Sequence, residues 1–418
     1  MTDPAPPATE RATFFRQSGW MMLATLVGGV LAWAVHLLSK AIPPSEYGTL
    51  ITLLSVVNLV PTLPLQMVFA QQTARAVATG QTAPLAGLIR WTGLGIFLVC
   101  ALGAAGVWGW HQTLALKWHL ANPAALPGLL VAILLSLSWP VFAGIMQGRQ
   151  NFLWAGWGTI LNGAVRLTSA ALIVLVWNGR ATGILVAFSL GWLAASLVGA
   201  AQTRAQWRAP AGPFDHQIFR RQILPLMLGF AATQFLFSAD TVFVNFYFGA
   251  DQTAPYGAAG TLSRALLWVV LPLAGVMFPK IVRSHVASER NNLSGVTLLL
   301  TAALAGAGFL GLWVLGPWLV PLIFPAGYSR DTLAVLPWYA GAMIPLALAN
   351  VLVNDLLARF RFKLVPPLLL LAAGYGVALT RFHDTPKEIL QILGGFNLLL
   401  LAVCAWFASR AGAEKAEG

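Results

Sequence analysis

From Ser18 onward the sequence alternates apolar stretches of about 20 residues or more with short connections that hold most of its charge. A stretch of that length matches the hydrocarbon thickness of a bilayer when it is helical, and few other solvents suit a chain built almost wholly of such stretches. Charged residues make up 9% of the 418, against roughly a quarter in soluble domains, so the chain cannot cover an ordinary soluble surface. With 58% hydrophobic residues and a mean hydropathy of +0.75 it is not a disordered chain either.

The apolar runs predict twelve helical spans, at 18–40, 48–70, 84–109, 125–147, 154–177, 182–203, 222–249, 254–279, 293–316, 332–357, 362–380 and 386–408. The eleventh is the weakest, since Pro366 and Pro367 lie inside it. Met1–Thr9 is rich in Pro and Ala rather than basic, and the first run is too long for the core of a cleaved signal, so span one is expected to stay in the membrane. The formal charge of +12 is read as topology rather than as affinity for nucleic acid. With the N-terminus inside, the outer connections hold only Lys40, Lys117, Arg180, Arg330, Arg381 and Lys387, while seventeen bases fall on the inner side. The expected layout is therefore a multi-pass membrane protein with both termini cytoplasmic.

The connection from Thr203 to Arg221 is the longest inner loop, with Pro210, Gly212 and Pro213 between basic ends. It divides the chain into a flexible N-terminus (1–17), an N-lobe of six spans (18–203), a linker (204–221), a C-lobe of six spans (222–409) and a tail (410–418). The halves repeat one another at an offset near 209 residues. Ser45-Glu46-Tyr47-Gly48 answers to Ala254-Pro255-Tyr256-Gly257, Leu53 to Leu262, Pro64 to Pro272 and Arg75 to Arg283. Later, Arg149 and Phe152 answer to Arg359 and Phe362. An even number of spans per half makes the repeat parallel, and two such lobes enclose a central cleft that rocking can open to either side.

Ionisable groups at membrane depth are rare and face a cavity or a partner. Three stand out: Arg166 in span five, Asp240 in span seven and Arg264 in span eight. Arg166 has no acid one turn away, since Asn162 and Ala170 occupy those positions, so it is a candidate for an anionic ligand or for an acid on another helix. Asp240 and Arg264 sit at matching depths on consecutive spans and are expected to form an ion pair, either a brace for the lobe or a switch broken by protonation or anion binding. Asn162 and Gln234 are uncharged candidates for substrate contact beside the commoner role of bonding between helices. Gly103 and Gly106 are read as small-residue packing faces. Cys100 and Cys404 lie in apolar runs and suit neither a disulfide nor a metal site. No phosphate-binding Gly-rich loop and no His/Cys cluster is present, so neither catalysis, nor a cofactor, nor a metal is expected.

Several segments resemble the polysaccharide transporter (Wzx-type) family of the MATE/MOP flippase superfamily. They are "LLSKAIPPSEYGTLITLLSVVNLV" followed by "AQQTARAVA" after span one, "MQGRQNF" between spans four and five, and the stretch from Ser238 to Arg283 with its acidic residue in span seven and Tyr-Gly-x-Ala before span eight. The resemblance covers most of the chain. It implies an all-α fold of about twelve spans in two pseudo-symmetric six-helix lobes. It also implies translocation of a lipid-linked oligosaccharide or polysaccharide precursor across the cytoplasmic membrane by alternating access. A cationic cavity of that family would correspond here to Arg166 and Arg264. Expected partners are the lipid-linked substrate, membrane lipids, glycosyltransferases or a polymerase of the same pathway, and H+ or Na+ as a coupling ion.

Two other readings stay open at this stage. A MATE-like multidrug or cation antiporter shares the fold but calls for acidic cavity residues. A non-transporting membrane subunit of a polysaccharide synthase complex shares the setting. A major-facilitator transporter is disfavoured, because the connection after span two, "QQTARAVATGQTAPLAG", lacks the Gly/Asp/Arg-rich pattern of that class.

Overall fold

The computed structural model of the protein describes residues 8–213, 217, 219–267 and 293–416. Among these residues the regular structure is helical throughout, with no strand. The helices are α1 (Ala8–Ala34), α2 (Pro44–Asn58), α3 (Leu63–Thr79), α4 (Ala83–Lys117), α5 (Ala125–Gly148), α6 (Phe152–Leu175), α7 (Arg180–Gln202), α8 (Leu224–Phe248), α9 (250–267), α10 (Leu293–Ile323), α11 (Ala326–Ala358), α12 (Val365–Arg381) and α13 (Pro386–Ala416). An α-helix satisfies its backbone N–H and C=O groups internally, which is what a segment surrounded by hydrocarbon requires. Large apolar side chains such as Leu102, Trp108, Leu116 and Leu370 lie on the outer surface, as they do where the solvent is lipid.

Eleven stretches of the described residues are long and apolar enough to cross a membrane, and they coincide with eleven of the twelve predicted spans. The eighth is described as far as residue 267; its remainder, with Pro272, and the connection after it, with Lys280, Arg283 and Arg290, lie outside the described residues. Pro366 and Pro367 fall in the first turn of α12, where a missing N–H leaves no helical bond unmade. Span two is longer than its apolar core and is interrupted: α2 stops at Asn58 and α3 begins at Leu63.

The internal repeat is visible in the backbone. At the end of α5, Gln150 adopts φ +59°, its N–H bonds Gln147 O, and Asn151 N–H bonds Met146 O at 2.8 Å. At the end of α11, Phe360 adopts φ +57°, its N–H bonds Leu357 O, and Arg361 N–H bonds Leu356 O at 3.0 Å. Both are Schellman closures built on a left-handed residue that is not glycine, at an offset of 210 residues, within the segments Arg149–Phe152 and Arg359–Phe362. Helix neighbours repeat as well. α1 packs on α6, α6 on α7, α5 on α7 and α4 on α5; in the second half α8 packs on α12, α12 on α13, α11 on α13 and α10 on α11.

Close helix approach is set by a different pair of glycines from the one anticipated. A methyl group at Gly144 would stand 2.5 Å from Gln66 O, and one at Gly148 would stand 2.5 Å from Ala70 O, so this Gly-x-x-x-Gly stripe of α5 lets α3 press against it. Gly103 and Gly106 have ordinary room for a methyl group and hold no such contact, because the face of α4 that carries them meets only the ends of side chains.

Candidate functional site

The two halves meet along α2, α8 and α9. The repeated Tyr-Gly pairs form the crossing. Gly48 of α2 lies against the backbone of Ala250 at the start of α9, and Gly257 of α9 lies against Ile51 of α2, where a methyl group would stand 2.6 Å from Cγ2. The tyrosine ahead of each glycine turns back to a titratable residue in the first span of its own half. Tyr47 OH is 3.2 Å from His36 Nδ1, and Tyr256 OH donates to Asp240 Oδ2 at 3.0 Å.

Around Asp240 the second half builds a closed polar network. The carboxylate is 0% exposed. Its Oδ1 accepts Arg264 Nη2 at 2.7 Å, and its Oδ2 accepts the hydroxyls of Tyr256 and of Tyr339, the latter reaching in from α11. The Arg264 guanidinium also donates from Nη2 to Thr241 Oγ1 at 3.1 Å and from Nε to the Phe237 carbonyl at 3.1 Å. It lies near the Phe237 and Tyr339 rings at 5.2 and 5.5 Å from their centroids. Burying one charge without the other would be strongly unfavourable, whereas the pair with its added donors and acceptors satisfies both. The Tyr375 hydroxyl is buried without a hydrogen-bond partner, while its ring packs on Phe235 and Phe396.

The remaining sequence-derived candidates are placed elsewhere. Arg166 on α6 lies over the Phe188 ring of α7, 4.5 Å from the centroid; its Nε is buried without a hydrogen bond, and among the described residues no carboxylate is within ion-pair distance. Asn162, one turn earlier, is buried with its Nδ2 unpartnered. Gln234 on α8 donates from Nε2 to the Asn58 carbonyl at 2.9 Å, joining the second half to the end of α2. Arg264 and Asp240 are thus brought together, Arg166 and Asn162 share one face of α6, and Gln234 stands on the seam. Among the described residues no group of three His, Cys, Asp or Glu side chains could hold a metal ion.

Sequence reasoning missed Tyr256 and Tyr339 as partners of Asp240. Tyr256 belongs to the repeated Tyr-Gly pair, so the signal was present; Tyr339 comes from a span 99 residues away and carries no such mark. Also missed was a set of bridges at one end of the seam. Ser39 Oγ donates to Ile323 O at 3.0 Å, Asn245 Nδ2 donates to Trp118 O at 3.1 Å, and the Tyr47 ring packs between Phe324 and Tyr328.

The result is a helical membrane fold with matched halves, closed at one end of the seam and holding ionisable groups within its spans. Solved structures share it. The inward-facing conformation of a multidrug resistance MATE family transporter of the MOP superfamily superposes with a TM-score of 0.74 at 12% identity, covering 96% of this chain and 99% of that one. An outward-facing conformation of a multidrug resistance MATE family transporter gives 0.66 at 13% identity, with 96% of each chain covered. A MATE structure in complex with MaD5 gives 0.61 at 14% identity over the same shares. No curated protein matches the chain by sequence. The model of the family described as "Polysaccharide biosynthesis protein" matches residues 14–285, and the chain belongs to that family.

Proposed function

We propose that the protein translocates a lipid-linked saccharide from the cytoplasmic to the outer leaflet of a bacterial inner membrane, by exposing the seam between its halves to each side in turn. The observation that carries this reading is the combination of a polysaccharide biosynthesis family with a transporter fold. A sugar headgroup cannot enter hydrocarbon without losing the hydrogen bonds its hydroxyls make to water. A polar seam substitutes for that water while the lipid tail stays in the bilayer. In the first half, Arg166 and Asn162 are donors without internal partners, suited to the phosphates that join sugar to lipid. Asp240 and Arg264 form the element whose pairing biases the two conformations, through protonation of Asp240 or displacement of Arg264. A cationic drug calls for a free carboxylate in the seam, and Asp240 is already neutralised by Arg264, so the saccharide reading is favoured over a drug antiporter.

The test is reconstitution of the full chain into vesicles that carry a labelled lipid-linked oligosaccharide in one leaflet, with a membrane-impermeant sugar-modifying reagent outside. Loss of protected label faster than in protein-free vesicles is expected. Equal rates with and without protein would reject transport and leave the synthase-subunit reading. In cells, deletion is expected to deplete surface polysaccharide and accumulate the lipid-linked precursor.

A further inference from the structure

Span two is broken at the depth where a membrane helix tolerates a break least. From Pro44 to Asn58 is about 21 Å at about 1.5 Å per residue, and from Thr62 to Thr79 about 26 Å, so residues 59–62 lie near the middle of the span. The break follows from two prolines. Pro61 and Pro64 have no N–H, so the carbonyls of Val57 and Val60 lose their helical donors. Val57 O is taken by Val60 N–H at 3.2 Å, and Asn58 O by Gln234 Nε2 from the other half. The next three carbonyls, of Leu59, Val60 and Pro61, accept no hydrogen bond from any described residue. Asn58 beside them is exposed and Thr62 half-buried.

Non-helical backbone at membrane depth persists only where it borders protein, water or a ligand, because hydrocarbon offers unpaired carbonyls nothing. Here the segment lies on the seam, as its bond to Gln234 requires. We propose that residues 58–62 form a ledge that accepts hydrogen bonds from the hydroxyls of a saccharide headgroup as it passes between the halves. This rests on the transport reading above and adds the site that recognises the sugar. Three consecutive backbone acceptors, with the Asn58 amide and the Thr62 hydroxyl at their ends, call for a ligand bearing several closely spaced donors. Sugar hydroxyls are such donors. A phosphate at neutral pH presents acceptors and is repelled by the same carbonyls. Gln234 keeps the first carbonyl paired when the ledge is empty. Broken spans whose unwound backbone carbonyls coordinate ions follow the same physical rule.

Two measurements test this in the full chain, with Cys100→Ala and Cys404→Ala as background. First, Pro61→Ala/Pro64→Ala restores two N–H donors and a continuous helix. It is expected to insert and remain monodisperse with helix content unchanged or raised, yet to translocate lipid-linked oligosaccharide at least tenfold more slowly than the background. Second, Thr62→Cys is expected to react with a water-soluble thiol reagent and to be protected at least threefold by lipid-linked oligosaccharide, but not by polyprenyl phosphate lacking sugar. If the background itself fails to translocate, the transport reading falls, and protection at Thr62→Cys still reports on the ledge. If the background translocates while the double proline variant matches its rate, the ledge is overturned. Protection by the sugar-free lipid to the same degree, or by Na+ alone, overturns it too, the latter in favour of a cation site.

Discussion

Tyr339 and Tyr256 donate to the same oxygen of Asp240, so one buried carboxylate ties together α8, α9 and α11 of the second half. Arg264 holds the other oxygen. Nothing in that arrangement reaches the lipid, and the carboxylate oxygens are met by two donors from α9 and one from α11. Such a centre stays shut until one charge is removed, which is the behaviour required of a switch.

Asp240→Asn leaves the Arg264 guanidinium buried without its counter-charge. Breaking a buried pair from one side destabilises by about 3–5 kcal/mol. We expect the variant to insert but to melt earlier in detergent, and to lose translocation. The double variant Asp240→Asn/Arg264→Gln removes both charges and is expected to recover much of the melting temperature without recovering transport. Normal transport by Asp240→Asn would remove this residue from the mechanism.

Tyr256→Phe and Tyr339→Phe each delete one hydrogen bond to the carboxylate and nothing else. A bond to a charged group is worth about 1.5–3 kcal/mol. Each variant is therefore expected to unfold at a lower temperature than the parent, and in the background of Asp240→Asn the further loss should shrink. A double-mutant cycle on thermal stability measures that coupling; additivity would mean that the hydroxyls do not act through Asp240.

The Asp240–Arg264 pair was legible in the sequence because charges within spans are rare and consecutive spans joined by a short turn bring equal depths together. The parallel repeat was legible for a related reason: Arg149 and Phe152 against Arg359 and Phe362 bracket the same helix closure in both halves. The break after Asn58 was not. The stretch from Pro44 to Thr79 is as apolar as an unbroken span, and a proline alone does not say whether a helix kinks or stops. Nor does composition reveal that Gly144 and Gly148, rather than Gly103 and Gly106, face another helix at close range, since that depends on which side of each helix meets a neighbour. Tyr339 is the same problem at greater distance: its role is set by how α11 folds back on α8.

The bridges at the Ser39 end of the seam hold that end shut in this conformation. Hydrogen bonds between membrane helices average about 0.6 kcal/mol each, so removing two with Ser39→Ala/Asn245→Ala should shift the balance by about 1.2 kcal/mol, or roughly sevenfold. Spin labels at Gln112→Cys and Lys387→Cys, in the two halves and both exposed at that end, are expected to show a larger population at long distance in the double variant. An unchanged distance distribution would show that the Tyr47–Phe324–Tyr328 packing alone keeps the end closed.

Arg166 separates a ligand-binding cation from a structural one. A buried structural cation has a counter-charge whose loss is felt in stability; Arg166 has a ring face and no carboxylate among the described residues. An unpaired charge at membrane depth is unfavourable by about 2.5–3.5 kcal/mol on insertion scales, so Arg166→Gln should leave the melting temperature unchanged or raise it. If the guanidinium meets the phosphates of the substrate, the same variant should raise KM for the lipid-linked saccharide at least tenfold. Arg166→Lys should fall between, because an ammonium keeps the charge but loses the planar fork and its stacking on Phe188. Initial translocation rates against substrate concentration, measured beside thermal unfolding, decide between the two roles. Marked destabilisation with an unchanged KM would make Arg166 a brace, and the phosphates would then have to be met by other donors.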